Sequence, residues 1–119
     1  EITRDPNIAE SYFQRAIMLA PQLPESYSYY GRWLSKQGRY SEAITLLDRS
    51  IGLSPAGQYP RYVLMDIYAK LGKWGKLREA ARALLAIAPD DTTAKAKLQE
   101  ADSKTKRSQP KQPILNETR

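Results

Sequence analysis

The chain has 119 residues, room for one domain of ordinary size, and it contains neither Cys nor His. These absences exclude disulfides, zinc sites built from thiolates or imidazoles, and every mechanism that needs a Cys or His nucleophile or base. The formal net charge is +6, but five basic residues and one acidic residue fall within 104–119, so most of the excess lies at the C-terminal end. No apolar run approaches the roughly 20 residues of a membrane span, so membrane insertion is not predicted.

The first predicted element is a helix near residues 7–20. The tripeptide DPN at 5–7 is typical of a loop, and Pro21 follows the helix. No partner helix precedes it, and the chain opens on Glu1 rather than Met. We therefore interpret the chain as a piece of a longer protein, cut within a structural unit.

Residues 24–37 predict a second helix. Tyr27, Tyr30 and Leu34 recur at spacings of three and four, which places them on one apolar stripe. Gly38 follows as a stop, because Gly adopts the left-handed conformation that commonly ends a helix. We expect Gly31, on the same helix, to pack closely against Ala43 of the helix that follows.

Ser41 is predicted to cap the third helix, which Pro55 ends. A fourth helix near residues 59–71 and a fifth near 75–88 repeat this plan, with Gly72 between them. The helical hairpin therefore occurs twice.

The whole chain repeats with a period of 34 residues. The residues one period apart are Pro21, Pro55 and Pro89; Gly38 and Gly72; Leu34 and Tyr68; and Tyr40 and Trp74. A fixed period of this length is typical of arrays in which one helical hairpin stacks on the next.

This pattern resembles the tetratricopeptide repeat, whose unit reads W-x2-L-G-x2-Y…A-x3-F…P. The central unit matches with Tyr27-x2-Tyr30-Gly31-x2-Leu34, then Ala43-x3-Leu47, then Pro55. An earlier half unit matches with Ala9, Phe13, Ala16 and Pro21. The third unit departs from the pattern at Met65, in place of Gly, and at Leu77 with Ala81, where the order of small and large residues is reversed; Gly72, Trp74 and Pro89 keep its register.

The resemblance implies an all-α, right-handed superhelical array of helix–turn–helix units. We predict a partial unit over 1–21, full units over 22–55 and 56–89, and a polar capping helix over 90–104. The adjacent acids Asp90 and Asp91 are interpreted as its cap and first turn. Residues 105–119 are predicted to be a disordered basic tail.

The sequence predicts no enzyme, no cofactor and no metal site, because no phosphate loop or catalytic constellation occurs in it. The resemblance implies a concave groove lined by the first helix of each unit, where a peptide or protein partner would bind. The candidate groove residues are Tyr29, Arg32, Lys36, Tyr59, Tyr62, Asp66 and Lys70. Of these, Tyr29, Arg32 and Tyr62 are expected to face one another, since Tyr and Arg commonly anchor interfaces.

Two further functions are considered beside this scaffold, and one subclass of the family is not predicted. Chaperone-binding members of the family clamp a carboxylate with Lys, Asn and Arg, but no Asn stands at the corresponding places here, so a clamp is not predicted. The repeats also resemble the C-terminal arrays of large bacterial inner-membrane proteins of the sugar-transferring type, which implies a non-catalytic appendage that packs on its own parent chain. Nucleic-acid binding depends on the basic tail and on a basic helix, with Lys73, Lys76, Arg78 and Arg82, and is the weakest of the three.

Overall fold

The computed structural model describes residues 5–108, and the side chains of residues 5–105. Six helices follow one another: α1 (Pro6–Leu19), α2 (Pro24–Lys36), α3 (Tyr40–Leu53), α4 (Tyr59–Leu71), α5 (Trp74–Ile87) and α6 (Thr92–Ser108). No strand occurs within residues 5–108. The predicted all-α class is therefore confirmed. The ends of the helices lie within two residues of those predicted, except that α6 ends four residues later.

The helices stack as an array in chain order. The hairpins α2–α3 and α4–α5 are the two full units, α1 packs on α2, and α6 packs on α5 and α4. Contacts between α2 and α4, and between α4 and α6, show that the first helices of successive units lie side by side. Along the described part of the chain, no helix is both long and apolar enough to cross a bilayer.

The two hairpins end their first helices in the same way. Gly38 has φ 79° and Gly72 has φ 68°, both in the left-handed region. Beyond each Gly, the next N–H reaches back to the helix: Arg39 donates to the Leu34 carbonyl and Lys73 to the Tyr68 carbonyl, each at 2.9 Å. This pair of turns, one period apart, sets the geometry of both units.

The predicted cap at Ser41 is wrong. Helix α3 begins at Tyr40, after Arg39, and no side chain caps it. Because the left-handed Gly38 already turns the chain, Ser41 falls within the first helical turn. Its carbonyl accepts a hydrogen bond from the Thr45 hydroxyl at 3.2 Å.

Gly31 provides the closest approach between α2 and α3. A Cβ built there would lie 2.8 Å from Cγ of Leu47 and 3.2 Å from the carbonyl oxygen of Ala43. The predicted tight contact is present, although the side chain that fills it belongs to Leu47 rather than to Ala43. The core around this contact comprises Tyr30, Leu34, Ala43, Leu47, Val63, Leu64 and Ile67.

The third unit packs a second core, in which the small and large positions are exchanged. Met65 stands one period after Gly31, and Ala81 stands one period after Leu47. Both are fully buried in one cluster. Since a larger residue on the first helix faces a smaller one on the second, the exchange roughly conserves the packed volume. The rest of this cluster comprises Leu77, Leu84, Ala94 and Ala101.

Helix α6 closes the C-terminal end of the array. Arg78 of α5 donates from Nε to Asp102 at 2.9 Å and from Nη2 to the Thr105 hydroxyl at 2.7 Å. The helix continues through Ser108, so the first four residues of the predicted tail are helical. The remainder of the predicted disordered segment, 109–119, lies outside the described residues.

Candidate functional site

Two tyrosines meet on the inner face of the array. The rings of Tyr29 on α2 and Tyr59 on α4 lie 5.7 Å apart, inclined at 67° in an edge-to-face arrangement. Tyr29 is 54% exposed and Tyr59 is 39% exposed. Edge-to-face pairs of aromatic rings are favourable, so the two rings hold each other in place and form an apolar surface that is exposed to solvent.

A cationic cleft borders this pair. It measures about 450 Å³ and is lined by Phe13, Tyr29, Arg32, Trp33, Lys36, Gln37 and Tyr59. Arg32 and Lys36 are both exposed. Among the described residues, neither makes an ion pair or a side-chain hydrogen bond. The cleft thus combines aromatic walls with two positive charges that have no partner.

An apolar cleft lies between α1 and the beginning of α2. It measures about 380 Å³ and is lined by Tyr12, Phe13, Ala16, Leu23, Glu25, Ser26 and Tyr29. Phe13 and Tyr29 line both clefts, so they form a common wall. Glu25 contributes the single charge in its lining. We refer to these two sites as the cationic cleft and the apolar cleft.

The expected facing of Tyr62 with Tyr29 is wrong. Tyr62 packs on the second core, and its hydroxyl donates to Asp91, while Oε1 of Gln58 lies 3.3 Å from the same oxygen. The prediction paired residues by the 34-residue period, which matches Tyr29 with Val63. Tyr59, about one helical turn before Val63, is the residue that meets Tyr29.

Other residues assigned to the inner face have different surroundings. Asp66 lies 3.8 Å from Nζ of Lys97 on α6, an ion pair that turns it toward the capping helix. Lys70 is exposed in the last turn of α4. The structure therefore brings together Tyr29, Arg32, Lys36 and Tyr59, whereas Tyr62, Asp66 and Lys70 lie elsewhere on α4.

The structural repeat positions divide by burial. Tyr27, Tyr30, Gly31, Leu34, Ala43 and Leu47 are buried; Ala9, Phe13, Ala16, Tyr68 and Trp74 are half-buried; Pro21, Gly38, Pro55, Gly72 and Pro89 are exposed at helix ends and turns. Two of the buried tyrosines also use their hydroxyls. That of Tyr27 donates to the Pro21 carbonyl at 2.7 Å, and that of Tyr30 donates to Glu10.

Helix α1 contributes lining residues that the sequence did not indicate. Phe13 was assigned to the core, and its ring does stack on Tyr30, with centroids 5.4 Å apart and planes 4° from parallel. Its other side lines both clefts. The sequence held one indication of this lining, because Tyr12 is a large aromatic directly before Phe13. In the structure Tyr12 is 61% exposed and points away from the packed face.

Two other kinds of site, a metal site and a nucleic-acid surface, were considered among the described residues. Residues 5–108 contain no cluster of three acidic side chains that could hold a metal ion. The basic helix proposed for nucleic acid is partly neutralised. Arg78 is paired with Asp102, with Nε 2.9 Å from Oδ1.

Comparison with known proteins supports the repeat. A family model described as tetratricopeptide repeat matches residues 31–58, which run from Gly31 of α2 through α3 to the start of the next unit. No curated protein matches the chain, and the resemblance to membrane proteins of the sugar-transferring type finds no support. The match and the six-helix array together support a tetratricopeptide-like family for this chain.

Proposed function

We propose that the chain is a non-catalytic scaffold that binds an extended peptide segment of another protein on its inner face, centred on Tyr29 and Tyr59. The observation that carries this proposal is the exposed edge-to-face pair of rings beside the cationic cleft, of which Tyr29 also lines the apolar cleft. Tetratricopeptide arrays commonly mediate protein–protein interactions, and the match to that family gives the proposal its context.

The energetics favour a bound segment at this place. Tyr side chains provide a large contact area at a low cost in conformational entropy and are enriched among the residues that dominate binding. The ring of Tyr29 stacks on no buried residue, so covering it would remove apolar area from water without disturbing the core. Clefts of about 450 and 380 Å³ are of the size that receives side chains of a ligand.

A second candidate is a non-catalytic appendage that packs on a larger protein. The outer side of α1 favours it, because Ile8, Met18 and Leu19, which line neither cleft, are 48–80% exposed there. Such an apolar face is typical of a packing surface. This candidate needs no free ligand on the inner face, so it makes the opposite prediction for peptide binding by the isolated chain.

The experiment is a selection of random peptides against the chain. Peptides are displayed at the N-terminus of a phage coat protein, and the enriched sequences are then synthesised and titrated by fluorescence anisotropy. Truncating an anchor costs about 2 kcal/mol or more, so Tyr29→Ala is expected to weaken the enriched peptides by roughly thirtyfold. Met18→Ala, on the outer face of α1 and lining neither cleft, is the matched control and is expected to bind normally.

Circular dichroism separates binding from folding in this experiment. Tyr29 is more than half exposed, so Tyr29→Ala is expected to retain the helical spectrum and the thermal midpoint. If no enriched peptide is sensitive to Tyr29→Ala, the inner face is not a peptide site, and the appendage becomes the better account.

A further inference from the structure

Resting on the proposed function, we infer the chemistry of the partner segment: an aliphatic side chain for the apolar cleft and, about four residues away, an acidic side chain for the cationic cleft. The two clefts share Phe13 and Tyr29, so a single extended segment would occupy both.

The distribution of charge fixes which end takes the acidic group. Arg32 and Lys36 project from the C-terminal half of α2 without a partner among the described residues. Glu25 stands at the other end of the helix, in its first turn, on the edge of the apolar cleft. An acidic side chain would be attracted to the first end and repelled from the second.

The spacing follows from helix geometry. Ser26, beside the apolar cleft, precedes Arg32 by six residues and Lys36 by ten, which is about 9–15 Å along the helix axis at 1.5 Å per residue. An extended peptide advances about 3.3 Å per residue. This distance corresponds to about three to five residues, and because alternate side chains of an extended segment point the same way, the two side chains of the partner should be about four residues apart.

The carboxylate is assigned to an Asp or Glu side chain within the segment. Both cations come from one face of one helix, and the cleft is bordered by aromatic rings at its other sides. Nothing in the lining of this cleft closes the path of a chain that continues past it. Besides these two cations the lining offers only neutral donors, from Tyr29, Tyr59, Trp33 and Gln37, so no third cation favours a chain terminus.

The wild-type selection described above tests this pattern directly. Peptides displayed at the N-terminus of the coat protein have no free C-terminus, so any enriched carboxylate must come from a side chain. The expected result is enrichment of sequences in which Leu, Ile, Val or Met stands about four residues from Asp or Glu. Synthetic versions with amidated ends should lose about tenfold or more in affinity when the acidic residue becomes Lys.

A charge exchange provides the decisive variant. In Arg32→Glu/Lys36→Glu, the selection is expected to replace Asp and Glu by Lys and Arg at the same spacing. The matched control is Arg82→Glu, an exposed cation of the outer helix α5 that lines neither cleft, and its enriched sequences should remain acidic. Both changes leave the core untouched, so circular dichroism should show the same helical content.

The outcomes separate the two proposals. If enriched peptides depend on Tyr29 but show no acidic preference, or keep it in the exchanged variant, this partner chemistry is wrong and the groove remains a peptide site. If a free C-terminal carboxylate added to the synthetic peptides replaces the internal acid without loss, the assignment to a side chain is wrong. If no enriched peptide depends on Tyr29, the proposed function itself fails.

Discussion

Arg39 binds Glu10 across the boundary between two repeats. The guanidinium, in the turn between α2 and α3, donates from Nη1 and Nη2 to the two carboxylate oxygens of Glu10 on α1, both at 2.9 Å. It also forms two hydrogen bonds of 2.8 Å with Glu42 of its own unit. Because Tyr30 donates to the same Glu10 carboxylate, one acidic side chain on α1 is fixed by two residues of the next unit.

This arrangement predicts a pH dependence of stability. The hydrogen bond from Arg39, and then that from Tyr30, lower the pKa of Glu10 below its usual range. A carboxyl with a lowered pKa in the folded state stabilises that state above its unfolded pKa of about 4.3, and the contribution is lost as the pH falls through the folded pKa. Glu10→Gln should therefore lower the thermal midpoint at pH 7, by a difference that shrinks toward zero below pH about 4.

The measurement is thermal unfolding of both proteins from pH 3 to 8. Gln at position 10 still accepts a hydrogen bond but carries no charge, so the comparison isolates the ion pair. A difference between the two proteins that stays constant across that range would show that Glu10 is not stabilised by Arg39 in solution.

Substitution of Gly31 should destabilise the central unit. Cβ of an alanine would lie 2.8 Å from Cγ of Leu47, which is fully buried and cannot move away freely. Overpacking of a close-packed core typically costs about 1–3 kcal/mol. We expect Gly31→Leu to lose at least that much in urea unfolding, and Gly31→Ala to lose less, because alanine gains up to about 1 kcal/mol in helix propensity.

Gly52 supplies the control for this prediction. It lies in α3, and a Cβ there would meet nothing within 4 Å. Gly52→Ala should therefore stabilise the protein by about 0.5–1 kcal/mol through helix propensity alone. An unchanged midpoint for Gly31→Leu would mean that α2 and α3 do not approach closely at this residue.

Substitution of Gly72 should also lower the free energy of unfolding, but because of backbone strain rather than overpacking. Its φ is 68°, and a Cβ would meet nothing within 4 Å. Gly72→Ala should lose roughly 1–2 kcal/mol, the cost of a left-handed conformation for an L-residue. Gly75→Ala, in the first turn of α5 and equally free of contacts, should be neutral or stabilising. Chemical denaturation of the pair tests this, and equal midpoints would contradict it.

The helices and their ends could be predicted because they depend on local chemistry. Gly38 and Gly72 end helices since few other residues adopt a positive φ, and the 34-residue period carries that information from one unit to the next. Met65 and Ala81 depart from the repeat pattern because the large and small residues are exchanged. Both are buried in one core, so the larger volume at Met65 is compensated by the smaller volume at Ala81.

The site was harder to predict because it depends on how neighbouring helices are offset. The sequence indicated Tyr29, Arg32, Lys36 and Tyr59 as inner-face residues, and the structure places these four around one cleft. It could not indicate that Tyr59, rather than the residue one period from Tyr29, would meet that ring, since the offset is set by side-chain packing between α2 and α4. The same packing turns Tyr62 away toward α6.

The last prediction concerns the capping helix. Asp91 accepts the Ala94 N–H with Oδ1 at 2.8 Å and the Tyr62 hydroxyl with Oδ2, so it caps α6 and ties it to α4. The Tyr62 hydrogen bond, followed by that of Ala94, lowers the pKa of Asp91. If α6 detached, the buried Leu77 and Leu84 beneath it would be exposed to water.

Asp91→Ala should therefore lower the thermal midpoint by roughly 5 °C, as expected for loss of a helix cap in a domain of this size. Asp90→Ala is the matched control, because its fully exposed carboxylate reaches, among the described residues, only Lys95, at 3.9 Å, and exposed pairs contribute little. Tyr62→Phe should fall between the two, since it removes one hydrogen bond and keeps the cap. Hydrogen exchange should show faster exchange across residues 92–101 in Asp91→Ala. Equal midpoints and equal exchange for the Asp90 and Asp91 variants would show that α6 is held by its apolar contacts alone.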